Sequence, residues 1–178
     1  MTTPARNRLR FGILNIGTYR DKEEELLNLM KKRKLDILGL SETRLKNKEN
    51  GLDLGDNYTL IYSGIEDGVG KYGVAIVVGP RLSKCVKVVR LLHERILRIT
   101  LQLKRGRLHI LQVYAPQQGL TNQHKDKFYE ELQSEVESIT KSENIIIMGD
   151  LNGRTGCDRE NIESVVGPFG ETTRNDNG

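Results

Sequence analysis

The feature that most limits the folds open to this chain is the run Ile145-Ile146-Ile147-Met148, followed by Gly149-Asp150-Leu151-Asn152-Gly153. An unbroken apolar run closed by turn residues predicts a strand buried on both faces, hence a central strand with layers above and below it. Its C-terminal tip carries a carboxylate and an amide two positions apart. On extended backbone such residues point the same way. The C-terminal ends of strands are where sites open in α/β sheets. Asp150 can hold a water or a metal ion there, and Asn152 can offer N–H donors to an anionic oxygen. A local reading competes, since Asp, Asn and Gly also end strands simply because they form turns.

The rest of the chain has to supply layers for that strand. At 178 residues it fits one domain with a real core. Charged residues make up 29% and hydrophobic ones 37%, the balance of a globular rather than a disordered chain. A net charge of +4 and a pI of about 9.1 suit a polyanionic partner such as nucleic acid, although many plain soluble proteins are as basic. Cys85 and Cys157 lie far apart and form no metal-ligand spacing, so they are expected to be reduced thiols of an intracellular protein. Residues 1–8 are expected to be a disordered basic segment ahead of one domain over 9–178. No signal peptide is visible in that segment, and no apolar run approaches membrane-spanning length.

Leu9 to Ile16 predicts a strand with Asn15 near its C-terminal end. A helix follows, with Asp21 as its cap, Glu23, Glu24 and Glu25 in the first turn, and Lys31, Lys32, Arg33 and Lys34 in the last. That charge order matches the helix dipole. Leu26, Leu27 and Met30 form its apolar face. The basic run also resembles a nuclear localisation patch, which leaves the nucleus open as a location, but a solvated helix end accounts for the same residues. Leu35 to Ser41 is a second buried strand with Glu42 at its tip. Lys46 to Asn57 reads as a polar, Gly-broken loop, Tyr58 to Tyr62 as a short strand, Gly64 to Gly73 as a glycine-rich turn, and Val74 to Val78 as another buried strand. Cys85 to Leu91, Arg95 to Leu103 and Arg107 to Tyr114 predict an antiparallel series, closed where Pro116 ends the ladder. A helix is expected over about Thr121 to Thr140, capped by Thr121 and lined by Phe128, Leu132, Val136 and Ile139.

Two phosphate or metal motifs fail on spacing. Gly64 and Gly70 enclose five residues and Tyr72 follows Lys71, so Gly68-Val69-Gly70-Lys71 is a hairpin turn rather than a phosphate loop. The Asp150 loop begins like a calcium loop, but Arg154 and Asn161 stand where that loop needs an oxygen ligand and its closing Glu.

Four predicted strand tips now carry polar residues: Asn15, Glu42, Tyr114, and Asp150 with Asn152. Each has a bland role available, as a strand end, a turn cap or a wet aromatic. As a set they match the needs of a hard cation such as Mg²⁺ beside a phosphate. The absence of a fixed His or Cys cluster argues against zinc.

The motifs Leu14-Asn15-Ile16-Gly17, Leu40-Ser41-Glu42-Thr43-Arg44, Val113-Tyr114-Ala115-Pro116 and Met148-Gly149-Asp150-Leu151-Asn152 stand in that order along the chain. They resemble the endonuclease/exonuclease/phosphatase superfamily, and within it the endonuclease domain of non-LTR (LINE-type) retrotransposons and the craniofacial development protein 2 group. Gly167-Pro168-Phe169-Gly170-Glu171 and Thr173-Arg174-Asn175-Asp176-Asn177-Gly178 look like that subgroup too. The resemblance implies an α/β fold, a two-sheet α/β sandwich of the DNase I-like type. It implies phosphodiester hydrolysis of DNA dependent on Mg²⁺, with Mn²⁺ as the alternative cation. By the same carry-over Glu42 is a direct metal ligand and Asn15 holds the metal-side geometry. Asp150 orients or deprotonates the attacking water, Asn152 and Tyr114 donate hydrogen bonds to the scissile phosphate, and Arg44 binds substrate. Such donors act where charge grows on the phosphate oxygens.

The pattern departs from the family at its end. The family's later Asp and its closing Ser-Asp-His type motif have no counterpart, and His93, His109 and His124 all precede Asp150. The expectation is therefore a sandwich incomplete at the C-terminus, the N-terminal portion of the domain, with this chain inactive alone. A fused or downstream reverse transcriptase is compatible with that but not visible. Two further readings stand beside it: a non-catalytic nucleic-acid-binding remnant that keeps the basic surface, near Lys104, Arg105 and Arg107 or Lys31 to Lys34, and a phosphatase of the same fold.

Overall fold

The computed structural model describes residues 8–65, 71–157, 160–167, 169, 171–175 and 177–178. The expected basic tail over 1–8 and the Gly68–Lys71 turn fall almost wholly outside them. The chain divides into two compact units, 1–114 with 139–149 and 115–138 with 150–178.

The first unit is built on two sheets. One has five strands, β1 (Phe11–Asn15), β2 (Ile37–Ser41), β3 (Lys48–Asp53), β4 (Thr59–Ser63) and β5 (Val74–Val78), in the order β1-β2-β5-β4-β3. The other has β6 (Val86–His93), β7 (Ile96–Leu103), β8 (Gly106–Tyr114) and β9 (Asn144–Asp150), in that order. β1 and β2 are parallel and joined through the helix α1 (Glu23–Arg33), so the chain opens as a βαβ unit. β2–β5, β3–β4, β4–β5, β6–β7 and β7–β8 pair antiparallel.

The two-residue period of the strands divides the core into two layers. In β5, Val74, Ile76 and Val78 join Leu97, Ile99, Leu101, Ile110 and Tyr114 of the second sheet. The intervening Ala75 and Val77 join Leu38 and Leu40 of β2 with Leu26 and Met30 of α1. The five-stranded sheet thus has an apolar layer on each face, which is why β2 and β5 are continuous apolar runs. One buried amide crosses between the sheets. Gln112 of β8 is fully buried and donates from Nε2 to Leu40 O and Ser41 Oγ, both at 3.2 Å. Gly39 makes room for it, since a Cβ there would collide with the Gln112 side chain and Met148.

Several expectations need correction. β3 runs through the stretch expected to be a loop. All six of its residues are exposed and it ends the sheet order, so it carries no apolar alternation; backbone pairing to β4 holds it, with a register shift around Gly51. β9 is the last strand of its sheet rather than a central one, and Ile147 is 45% exposed. Its apolar run reports strand propensity and not position in the sheet. Asp21 does not cap α1. Its φ of 59° is left-handed, and Lys22 holds the cap position without a side-chain hydrogen bond. The acidic first turn and basic last turn are as expected, and Lys34 ends the helix with φ of 54°.

In the second unit α2 spans Asn122–Glu137 with Thr121 at its N-cap. The Thr121 hydroxyl meets His124 Nδ1 at 2.7 Å rather than a backbone N–H. Phe128 and Leu132 are buried and Val136 half-buried as expected, but Ile139 lies beyond the helix and Glu135 is buried beside them in sequence. Among the described residues no helix is long and apolar enough to cross a membrane.

Candidate active site

Parallel pairing of β1 with β2 sets Asn15 opposite Ser41, so the residue after each strand tip faces the same end of the sheet. Ile16 N–H donates to Ser41 O at 3.1 Å and extends the pairing to Glu42. There the backbone turns sharply: Glu42 has φ of 56° and Arg44 φ of 54°. Thr43 N–H donates to Gly73 O at 3.1 Å and Arg44 N–H to Tyr72 O at 2.8 Å, which holds the turn in this strained form.

Two neutral donors meet on one oxygen of Glu42. Asn15 Nδ2 and Tyr114 Oη each donate to Oε1 at 2.8 Å. Asn15 is itself oriented, since its Oδ1 accepts from Gly17 N–H at 3.2 Å. The donors stabilise the charged form without neutralising it. The Asn15 hydrogen bond, aided by that of Tyr114 and the nearby Arg44 charge, holds the Glu42 carboxyl below the usual carboxylate range against a smaller opposing effect of burial. Among the described residues no group of three or more His, Cys, Asp or Glu side chains is placed to hold a metal. The oxygen donors gathered at Glu42 are of the kind that hard divalent cations accept.

A folded pKa below the unfolded one means that Glu42 contributes stability above its unfolded pKa and loses it as pH falls through the folded value. Wild type and Glu42→Gln should therefore differ in unfolding free energy at neutral pH and converge below the ordinary glutamate range. Urea titrations across that range check it; a constant difference down to strong acid is the contrary result.

Beside this group in sequence, Thr18, Arg20, Thr43, Arg44, Leu45 and Lys46 line a pocket of about 540 Å³. It places three cations around one hollow. By contrast two of the basic residues singled out in the sequence are already paired, Lys31 with Asp56 at 2.8 Å and Arg107 with Glu143 at 3.5 Å.

In the second unit Asp150 and Asn152 form one turn. Asn152 has φ of 48°, and its N–H donates to Asp150 Oδ1 at 2.9 Å. One of its side-chain N–H groups is used on Ala115 O at 2.7 Å. Two residues to which the sequence reading gave no role hold this turn. Asn175 and Asn177 donate from Nδ2 to Asn152 O at 3.3 and 3.1 Å, Asn177 also reaches Pro116 O at 3.0 Å, and Asn175 Oδ1 accepts from Arg154 N–H at 2.8 Å. The signal in the sequence was the pair of amides in Asn175-Asp176-Asn177-Gly178, a composition that clamps loops by bonding backbone groups.

Comparison with known proteins decides what this arrangement belongs to. The profile of the endonuclease/exonuclease/phosphatase family matches residues 12–162. The chain belongs to that family. It is 31% identical over 149 residues to craniofacial development protein 2 of Bos taurus, covering 84% of this chain and 24% of that protein. It is 29% identical over 161 residues to exodeoxyribonuclease III of Haemophilus influenzae, covering 81% of this chain and 57% of that one. The chain thus spans from a quarter to about half the length of these relatives. Among solved structures, an AP endonuclease from Archaeoglobus fulgidus superposes with a TM-score of 0.60 at 20% identity, over 80% of this chain and 57% of that one. A 3′ phosphatase from Neisseria bound to a product DNA hairpin gives 0.63 at 17%, over 86% and 63%. The two-sheet α/β sandwich of the endonuclease/exonuclease/phosphatase family is therefore the fold of this chain.

Proposed function

We propose that this chain is the cation- and phosphate-binding part of a Mg²⁺-dependent phosphodiesterase that hydrolyses DNA, of the non-LTR retrotransposon endonuclease type. The observation that carries the reading is the Glu42 carboxylate, fixed through Oε1 by Asn15 and Tyr114 and adjacent in sequence to the Arg44–Lys46 pocket. Glu42 would hold the cation, with Mn²⁺ the alternative to Mg²⁺, and Asn15 would keep the carboxylate aimed. A cation bound there supplies charge stabilisation for a phosphoryl oxygen. Arg20, Arg44 and Lys46 would grip backbone phosphates. Tyr114 would shift its hydroxyl donation toward a phosphate oxygen, Asp150 would take a proton from an attacking water, and Asn152 would donate its remaining N–H. DNA as the partner is supported by the charge and by the DNA bound to the Neisseria relative.

The test is the salt dependence of duplex DNA binding by fluorescence anisotropy. Affinity should fall linearly on logarithmic axes, and Arg20→Ala and Arg44→Ala should each flatten the slope by roughly one unit. A flat dependence in the wild type overturns the DNA reading. Displacement of DNA by inositol phosphates at lower concentration than by oligonucleotide supports the phosphatase of the same fold instead.

Plasmid nicking by residues 1–178 alone is expected at background. No histidine follows Asp150, and one lost preorganised donor already costs on the order of 10²–10³ in rate. Mg²⁺-dependent nicking that Asp150→Ala abolishes would show that these residues suffice.

A further inference from the structure

We propose that Arg95 is a positioning residue of this site, its buried guanidinium packed against both Tyr72 and Tyr114, whose rings touch each other at a centroid distance of 6.3 Å, so that the Tyr114 hydroxyl stays on Glu42. The inference rests on the reading of Glu42 as the cation ligand. Arg95 precedes β7 and is 8% exposed. A buried cation is costly unless its surroundings compensate the lost water. Here they are aromatic faces and a carbonyl. Arg95 Cζ lies 4.0 Å from the centroid of the Tyr72 ring and 5.2 Å from that of Tyr114, and Nη1 donates to Tyr114 O at 3.0 Å. The backbone closes the same pair, since Tyr114 N–H donates to Arg95 O at 2.9 Å.

Tyr114 leads to Glu42 directly, and Tyr72 leads to it through the backbone of the turn. Tyr114 donates to its carboxylate at 2.8 Å. Tyr72 O receives Arg44 N–H at 2.8 Å, and the next residue, Gly73, accepts Thr43 N–H through its carbonyl and donates its own N–H to Glu94 O at 3.1 Å. The guanidinium therefore braces the donor to Glu42 and, through Tyr72, the strained turn that carries Glu42. A planar, delocalised cation is needed for that. Lysine keeps the charge but offers no plane to lie on a ring while bonding a carbonyl at its edge.

The first test needs no metal. With 3-fluorotyrosine incorporated, the Tyr114 fluorine line is assigned by its loss in Tyr114→Phe. Arg95→Lys should shift and broaden it, while Arg98→Lys, at an equally buried arginine of β7, should leave it in place. An unmoved line in Arg95→Lys, or equal effects of both substitutions, overturns the proposal. The second test is a double-mutant cycle in Mg²⁺ affinity by calorimetry. Arg95→Lys and Tyr114→Phe should each weaken binding on the order of fivefold, and the double variant no more than either single, because residues acting through one contact do not add. Factors that multiply overturn the proposal. Thermal unfolding monitors each variant. If Arg95→Lys does not fold, Tyr72→Leu removes one face of the stack and is read by the same fluorine line. Absence of Mg²⁺ binding in the wild type would sink the proposed function, while the fluorine experiment still decides the role of Arg95.

Discussion

Glu42→Gln is expected to abolish measurable Mg²⁺ binding while leaving the fold intact. The amide keeps an oxygen at the position where Asn15 and Tyr114 donate, so the local geometry survives. What it loses is the charge. Mg²⁺ is held by few protein oxygens and gives up its water reluctantly, so the number of charged ligands sets affinity over decades. Glu42 is the carboxylate that Asn15 and Tyr114 hold among the described residues, and removing it should weaken binding by on the order of a hundredfold or more. Glu49→Gln removes the same charge from an exposed position on β3 and should change nothing measurable. Calorimetric titration of both variants is the measurement, and equal effects would take the metal-ligand role away from Glu42.

Gly149→Ala is expected to be the most destabilising single-methyl change in the described chain end that leads to Asp150. Gly149 has φ of 142°, and a Cβ there would run into the carbonyl oxygen of Val113 on β8, with the carbonyl carbon and the nitrogen of that residue close behind. Backbone of a paired strand cannot move aside as a flexible side-chain end can. Strain and collision together should cost about 3 kcal/mol or more. Gly106→Ala separates the two causes. Its φ of 119° is comparable, but a Cβ there meets nothing within 4 Å. That substitution should cost only about 1 kcal/mol. Urea unfolding of both variants checks the contrast; equal losses would mean that backbone conformation alone accounts for Gly149.

The comparison of sequence with structure follows what burial writes into a chain. Val74–Val78 is read to the residue because both its faces are covered, and unbroken apolarity is then unambiguous. Lys48–Asp53 leaves no such trace, because a strand with every side chain exposed is held by backbone groups that all sequences share. Ile145–Met148 leaves too strong a trace, since an apolar run reports preference for extended structure and not which neighbours it finds. The tips carrying Asn15, Glu42 and Tyr114 were legible as separate strand ends. Their convergence on one carboxylate oxygen was not, because it depends on how two sheets pack. Asn175 and Asn177 stand in a stretch that resembles the subgroup, but the resemblance carries no role for them, since the backbone groups they bond lie far away in sequence. Arg95 was harder still, because a residue that holds another leaves no periodicity or motif of its own.

The meeting of Tyr114 with Asn15 and Glu42 has a practical consequence. The tyrosine comes from one sheet and its two partners from the other. A slip of β8 by a single residue would turn the Tyr114 ring to the opposite face and carry its hydroxyl away from Glu42. The trio therefore exists only in molecules whose sheets have docked correctly, and it acts as an internal check on assembly. With Glu42 as the proposed cation ligand, cation uptake by a purified sample would then report its correctly docked fraction, and incomplete uptake would diagnose misassembly in that sample rather than weakness of the site.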